Sequence, residues 1–148
     1  MTINLDWLLG FVEGEGCFSI YAEKPTTKRP ELSRTYLHFI LNQDEESLLL
    51  KIQEYLAVHN IVSHVNKMWG SDKSYSLRIS KKDSVGNLIL LFGDKLISRK
   101  AIVYNLWKQA YDILNTIDNE IEKNNKVLEI KEKIRLIQGV GRGRKRSY

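Results

Sequence analysis

The chain has 148 residues, of which 43% are hydrophobic and 28% charged, with a formal net charge of +5 and an isoelectric point of about 9.3. That length fits one domain, and the composition excludes wholesale disorder. No apolar run reaches the roughly 20 residues that span a bilayer, and the N-terminus does not resemble a secretory signal. A single cysteine, Cys17, excludes a disulfide framework within the chain. The basic charge favours an anionic partner.

The charge is distributed unevenly along the chain. Four basic residues fall in the last ten positions, which leaves +1 for the rest of the chain (+5 minus 4). We predict one domain over residues 1–138 and a flexible basic tail over 139–148. The tail either adds salt-sensitive affinity for nucleic acid or is simply solvated.

Periodicity and helix caps predict the order helix, strand, strand, helix in the first half of the chain. The predicted elements are a helix over 5–15, strands over 17–23 and 34–41, and a helix that ends near residue 57. Asn4 is expected to cap the first helix and Gly16 to end it, while Asn42 or Asp44 caps the second.

The second half is predicted to hold a hairpin and three helices. The hairpin covers 61–80 with its turn at 70–73, and the helices cover 82–92, 98–115 and 120–137. The whole order, αββαββααα, predicts an α+β domain with an antiparallel sheet. Trp7, Trp69 and Trp107 are interpreted as core or interface residues, and Cys17 as a buried residue.

Residues 8–16, LLGFVEGEG, combine two features that are unusual in a helix. Gly10 and Gly14 share one face, although a glycine costs a helix about 1 kcal/mol. By analogy with membrane helices, such a pair allows a second helix backbone to approach closely. Glu13 and Glu15 lie near the C-terminal end, where they oppose the helix dipole by roughly 0.3–1 kcal/mol. A divalent metal would remove that conflict, and so would solvation at a frayed end; the residues alone leave both open.

This string resembles the LAGLIDADG homing-endonuclease motif, since both helix glycines, the terminal glycine and both acids are in place. The resemblance covers roughly residues 5–115 and implies an αββαββα fold with a saddle-shaped antiparallel sheet, followed here by C-terminal helices. It implies that Glu15 binds Mg²⁺ (or Mn²⁺) at the scissile phosphate, together with the carbonyl of Gly16. Glu13 would instead serve the helix junction. Glu15 departs from the commoner aspartate and is one methylene longer.

The activity that the resemblance implies is metal-dependent hydrolysis of phosphodiester bonds in double-stranded DNA. Gln43 stands where single-motif members often have a glutamine that orients metal-bound water; the alternative is an ordinary helix-start residue. Lys100 stands where the family has a lysine near the scissile phosphate. Arg99 is the competing assignment, because the register is uncertain by one residue, and a solvated helix-start residue is the other alternative.

One motif supplies only one catalytic acid and half of a saddle. The resemblance therefore implies a homodimer, which favours a near-palindromic DNA target. In such a dimer the motif helices would pack against each other at the centre. The predicted interface residues are Leu8, Gly10, Phe11 and Gly14.

Strand side chains at a period of two are expected to contact the DNA major groove from one face of the sheet. The first hairpin would contribute Ser19, Tyr21, Glu23, Arg34, Tyr36, His38 and Ile40, and the second His64, Asn66, Ser74, Ser76 and Arg78. Arg34 and Arg78 suit guanine contacts. Phosphate contacts are expected from Lys24, Lys28, Lys67, Lys73, Lys81 and Lys82, with Arg99 as a further DNA contact.

Two other function classes remain open. One is a maturase that binds intron RNA and assists splicing, and the other is a DNA-binding protein that has lost cleavage. The intact acids of the motif argue against loss of cleavage. The many Lys, Ile and Asn residues are compatible with an AT-rich organellar genome, so a mitochondrial or chloroplast intron is a possible source.

Overall fold

The computed structural model describes residues 2–70 and 73–142. Its elements are α1 (Leu5–Glu15), β1 (Gly16–Ala22), β2 (Thr35–Gln43), α2 (Glu46–Val58), β3 (His64–Lys67), β4 (Tyr75–Ile79), α3 (Lys82–Phe92), α4 (Arg99–Thr116) and α5 (Glu120–Arg142). This order confirms the predicted αββαββααα sequence of elements. Residues 71–72 of the predicted turn and 143–148 of the predicted tail lie outside the described residues.

The strands form one antiparallel sheet in the order β1-β2-β4-β3. Gly16 pairs with Leu41, Gln43 pairs with Tyr75, and Tyr75 pairs with Lys67. Because neighbouring strands are antiparallel, β1 and β4 begin at the same end of the sheet where β2 and β3 finish. We call this end, marked by Gly16, Gln43, Tyr75 and Lys67, the motif end, because α1 leads into β1 there.

One face of the sheet is buried under the helices, and we call the other the open face. The buried face carries Phe18, Ile20, Leu37, Phe39, Leu41, Leu77 and Ile79. Leu9 and Val12 of α1 and Tyr104 of α4 join the same core. The alternation of buried and accessible residues along β1 and β2 confirms the predicted faces of the first hairpin.

Two predicted boundaries are wrong. Asn42 and Asp44 do not cap α2, because β2 continues to Gln43 and pairs Asn42 with Ser76; α2 begins after Glu45 instead. The predicted flexible tail begins inside a helix, since α5 continues through Gly139 to Arg142. Each added helical residue contributes a backbone hydrogen bond, which offsets the cost of a glycine. The predicted cap of α1 is confirmed, since Asn4 Oδ1 accepts from the backbone N–H of Trp7 at 2.9 Å.

Helix α5 is fixed to the sheet by a buried amide. Asn124 Oδ1 accepts from the backbone N–H of Thr35 at 2.9 Å and from its hydroxyl at 2.7 Å, while Asn124 Nδ2 donates to the carbonyl of Glu120. The buried residues of α5 are Asn124, Val127, Ile130 and Ile134. None of the helices in the described residues, this 23-residue one included, combines the length and apolarity that crossing a membrane requires.

The tryptophans occupy three different environments. Trp107 is buried, and its Nε1 donates to the carbonyl of Ser19 at 3.0 Å. Trp7 is half-buried and stacks on Phe11, with ring centroids 5.1 Å apart. Trp69 is 100% exposed, so it is not part of the core, because it lies beyond the end of β3. Cys17 was also expected to be buried, but strand alternation places it half-exposed on the open face.

Candidate active site and nucleic-acid interface

Glu13 joins the end of α1 to the start of α4. Its Oε2 accepts from the backbone N–H of Ile97 at 2.6 Å, and its Oε1 accepts from the Ser98 hydroxyl at 2.5 Å. The same hydroxyl accepts from the backbone N–H of Lys100 at 3.1 Å and thereby caps α4. Burial raises the pKa of Glu13, but hydrogen bonds from Ser98 and Ile97 and the charge of Lys100 outweigh it and hold the pKa below 4.5. The ionised carboxylate therefore holds the start of α4 against the end of α1 within one chain; its expected role at a junction of motif helices stays a prediction.

This junction brings Lys100 to the motif end. Lys100 Nζ donates to the backbone carbonyl of Gly16 at 2.6 Å. Lys100 and Gly16 line a cavity of about 340 Å³. Arg99, the competing residue, borders the same cavity from an exposed position at the first residue of α4. The contact with Gly16 favours Lys100, and its catalytic role stays a prediction.

Gly16 occupies a position where a side chain does not fit. A Cβ built there lies 2.8 Å from Val12 Cγ1, 2.9 Å from Val12 O and 3.3 Å from Phe39 Cε1. Val12 and Phe39 are buried, so neither can move away without disturbing the core. The glycine thus allows β1 to start directly after α1, and the exposed Glu15 immediately precedes the Gly16 carbonyl.

Glu15, Gly16, Gln43 and Lys100 all lie at the motif end. Gln43 ends β2, two residues after the Leu41 that pairs with Gly16, and its Oε1 accepts from the backbone N–H of Asp44 at 3.0 Å. Carboxylate, amide and carbonyl oxygens are the ligands that Mg²⁺ prefers. Among the described residues of one chain, however, no three His, Cys, Asp or Glu side chains converge. The oxygens of Glu15, Gly16 and Gln43 are of the type that a hard divalent cation binds.

The motif helix keeps one face open. Gly10 and Gly14 are exposed, and a Cβ built on either meets no atom within 4 Å. Phe11 is half-buried beside this face. The predicted interface role of Leu8 is wrong, because Leu8 is 1% exposed and packs into the core of its own chain. The open face of α1 is therefore formed by the glycines with Phe11 at its margin.

Two rows of side chains cross the open face of the sheet. Strand pairing aligns Cys17, Ile40, Arg78 and His64 in one row and Asn42, Ser76 and Asn66 in the other. Arg78, His64, Asn66 and Asn42 are exposed and offer the donors and acceptors that read base edges. Cys17 and Asn42 were not among the predicted contacts. Cys17 already shares the phase of Ser19 within the predicted strand 17–23, and extending the second strand by one residue would have found Asn42.

Three rings lie close together on the same face. The ring centroids of Tyr21 and His38 are 6.1 Å apart, and those of Tyr21 and Tyr36 are 6.3 Å apart. Tyr36 Oη donates to Glu23 Oε2 at 3.2 Å. Burial and the charge of Arg78 lower the pKa of His38. This favours the neutral imidazole, which presents one donor and one acceptor.

The other predicted contacts surround these residues. Ser19 pairs with His38 on the open face, and Ser74 follows the β3–β4 turn. Lys67 and Lys73 are exposed on the β3–β4 hairpin at the motif end, whereas Lys24 and Lys28 are exposed in the β1–β2 connection at the opposite end.

Arg34 has a second neighbour that the sequence did not indicate. The pKa of Glu120 is lowered first by a hydrogen bond from Lys123, and the charges of Lys123 and Arg34 add to that effect. Arg34 also borders a cavity of about 360 Å³ with residues of β2, α4 and α5. It is exposed, and its charge lies close enough to Glu120 of α5 to affect the pKa of that carboxyl.

Sequence comparison finds relatives for most of the chain. A family profile described as LAGLIDADG endonuclease matches residues 8–111. A Schizosaccharomyces pombe protein named "Probable intron-encoded endonuclease Cox1-I1b" is 28% identical over 127 residues, which cover 84% of this chain and 32% of that protein. The chain therefore spans about a third of the length of this curated relative.

Solved structures share the fold. The homing endonuclease I-TnaI superimposes with a TM-score of 0.75 at 20% identity, covering 94% of this chain and 98% of that one. The LAGLIDADG meganuclease I-AabMI, bound to uncleaved DNA, superimposes with a TM-score of 0.73 at 28% identity, covering 90% of this chain and 45% of that one. The same fold thus matches nearly all of one chain and somewhat less than half of another.

Proposed function

The chain belongs to the LAGLIDADG endonuclease family, and on that premise we propose that it is a site-specific nuclease that hydrolyses double-stranded DNA with Mg²⁺ (or Mn²⁺) as its cofactor. The observation that carries this proposal is the arrangement at the motif end. Glu15 directly precedes the Gly16 carbonyl, and Lys100 Nζ lies 2.6 Å from that oxygen. The Gly16 carbonyl and the Lys100 ammonium thus meet at the motif end, directly after Glu15 in the chain.

Each of these residues has a distinct task in the proposed reaction. Glu15 and the Gly16 carbonyl would hold the divalent cation, which when bound would supply Lewis acidity at the scissile phosphate. The Gln43 amide orients the attacking water, since it lies at the same end of the sheet. The Lys100 ammonium stabilises the negative charge that develops on the phosphate oxygens.

We propose that two copies form the active enzyme. One chain contributes one Glu15, and among its described residues no three His, Cys, Asp or Glu side chains converge. The open face of α1 at Gly10 and Gly14 gives a second α1 room to approach. Two-fold symmetry would place an equivalent open face on each half of a near-palindromic target. The match to less than half of the DNA-bound I-AabMI chain supports two units per enzyme.

DNA recognition is assigned to the open face. Arg78, His64, Asn66 and Asn42 present hydrogen-bonding groups in rows across the strands, and the paired strands are narrow enough for the major groove. Exposed lysines at both ends of the hairpins supply phosphate contacts, which position the duplex without reading its sequence.

The test is cleavage of a duplex that wild-type protein recovers from a randomised library by binding selection. Wild type is expected to cut it with Mg²⁺ and not with EDTA. Glu15→Gln is expected to bind with unchanged affinity and to cut at least about 10²–10³-fold more slowly, because the amide loses the charge that holds the cation. Glu129→Gln, an exposed acid on α5, is the matched control and should cut normally. Equal cleavage by Glu15→Gln and wild type would disprove the assignment.

One alternative is favoured by a specific observation. The Schizosaccharomyces pombe relative is named as intron-encoded, and an intron-encoded protein of this kind could assist splicing as an RNA-binding maturase. Stimulation of intron splicing by wild type and by Glu15→Gln, without DNA cleavage by either, would favour that function. The same relationship, with the richness in Lys, Ile and Asn, supports an organellar intron as the source.

A further inference from the structure

The β3–β4 hairpin exposes a large apolar side chain. Trp69 is 100% exposed, and the neighbouring Met68 is 37% exposed. A tryptophan presents up to about 250 Å² of mostly apolar surface, which is unfavourable in water by about 25 cal/mol per Å². Exposed aromatic residues with basic neighbours are typical of binding surfaces, where aromatics and arginine are enriched.

Trp69 follows a paired segment of backbone. The backbone N–H of Met68 donates to the carbonyl of Ser74 at 2.8 Å, one residue beyond the end of β3. Gly70 then takes a φ of +76°, which a side chain rarely allows, and this turns the chain. The paired backbone thus fixes where the chain leaves β3, immediately before Trp69.

Strand pairing locates this tip beside the candidate active site. Lys67 pairs with Tyr75, and Tyr75 pairs with Gln43, so Lys67 lies two strands from Gln43. That separation is about 10 Å across the sheet, and Trp69 lies two residues further along. Lys67 and Lys73 are exposed on either side of the tip. A duplex cleaved at the motif end would therefore lie within reach of the indole.

We propose that Trp69 is a DNA-contacting residue whose indole becomes buried against the duplex next to the cleavage centre. This inference rests on the proposed function. The flanking lysines, and the position of the tip at the motif end, favour a polyanionic duplex over a protein as the partner. The contact is apolar, since an indole packs on bases and sugars without neutralising phosphate, and base–aromatic contacts are worth about 1–3 kcal/mol.

The test compares Trp69→Ala, Trp69→Phe and Leu90→Ala on the duplex that wild type selects. Leu90 is 80% exposed on α3, so it is a matched apolar control away from the hairpin. Trp69→Ala should weaken binding by about 5–150-fold, and Trp69→Phe should recover most of the loss. For Trp69→Ala, the plot of log affinity against log salt concentration should keep the wild-type slope. Lys73→Ala should reduce that slope by about one for each chain. Leu90→Ala should change neither quantity.

A second readout follows the indole directly. The fluorescence of Trp69 is the difference between wild type and Trp69→Ala. In the free protein iodide should quench this fluorescence, and bound DNA should protect it from quenching. If Trp69→Ala binds the duplex with wild-type affinity and DNA does not change the access of iodide to Trp69, the proposal is overturned while the proposed function stays intact. A changed oligomeric state of Trp69→Ala with normal DNA binding would also overturn it, because the tip would then be a protein contact. Failure of wild type to bind any duplex would refute the proposed function itself.

Discussion

Replacing Gly10 by alanine is expected to act in opposite directions on the single chain and on the dimer. The new Cβ meets no atom within 4 Å in the single chain. Alanine in a helix is about 1 kcal/mol more favourable than glycine. For a chain of this length, 1 kcal/mol raises the melting temperature by about 2–4 °C. The isolated subunit should therefore become more stable.

The dimer should respond in the opposite sense. If two copies of α1 meet at this face, each alanine inserts a methyl group where the backbones approach, and such overpacking costs about 1–3 kcal/mol. The dimer dissociation constant should rise by about 5–150-fold. Sedimentation equilibrium measures the association. Thermal unfolding, at a protein concentration below the dimer dissociation constant, measures the stability of the subunit.

Gly139→Ala is the matched control for this experiment. Gly139 is also an exposed helical glycine with nothing within 4 Å of a built Cβ, but it lies on α5. It should stabilise the chain without changing association. A dimer with unchanged affinity in Gly10→Ala would refute the interface on α1, and a destabilised monomer would refute the open space around Gly10.

Three further substitutions test the junctions around the site. Gly16→Ala should lower the unfolding free energy of the chain by about 1–3 kcal/mol in urea unfolding and should slow cleavage, because the new Cβ collides with the backbone carbonyl of Val12. Unchanged stability would show that the backbone between α1 and β1 shifts to accommodate the methyl group. Glu13→Ala should destabilise the chain most above pH 4.5. The difference in unfolding free energy from wild type should shrink as pH falls through the lowered pKa of Glu13, because the folded carboxyl must then bind a proton. A pH-independent difference would contradict this. Asn124→Ala should leave the N–H and hydroxyl of Thr35 without their partner, at about 1–3 kcal/mol each; unchanged hydrogen exchange at the Thr35 amide would argue against that tether.

Local patterns predicted most of the elements, because strongly periodic segments have one arrangement that buries their apolar residues. The alternation of β2 from Thr35 to Leu41 and the Asn4 cap of α1 are examples. Helix α1 shows what periodicity does not predict, because its apolar residues surround the helix axis and do not indicate which side is buried. Only the packed fold distinguishes Leu8, which meets its own core, from the exposed Gly10.

The position of Lys100 depends on contacts between distant parts of the chain. Arg99 and Lys100 are adjacent in sequence, and no local pattern distinguishes them. The difference arises from Glu13, which fixes the first turn of α4 through Ser98, and from the resulting contact of Lys100 with Gly16. These contacts join residues 84 or 85 positions apart, beyond any reading of helical or strand periodicity.

The contact of Trp107 with β1 has a consequence for aggregation. An uncovered outer strand can recruit strands from other chains. Here Trp107 binds the Ser19 carbonyl of the outer strand β1, and α5 lies beside the same strand. The opposite outer strand, β3, has only four residues. A chain shortened to the family-matched residues 8–111 would keep Trp107 but lack α5, and we expect its less covered β1 to recruit strands from other chains. On that expectation, a helix outside the family match protects the sheet that the family fold requires.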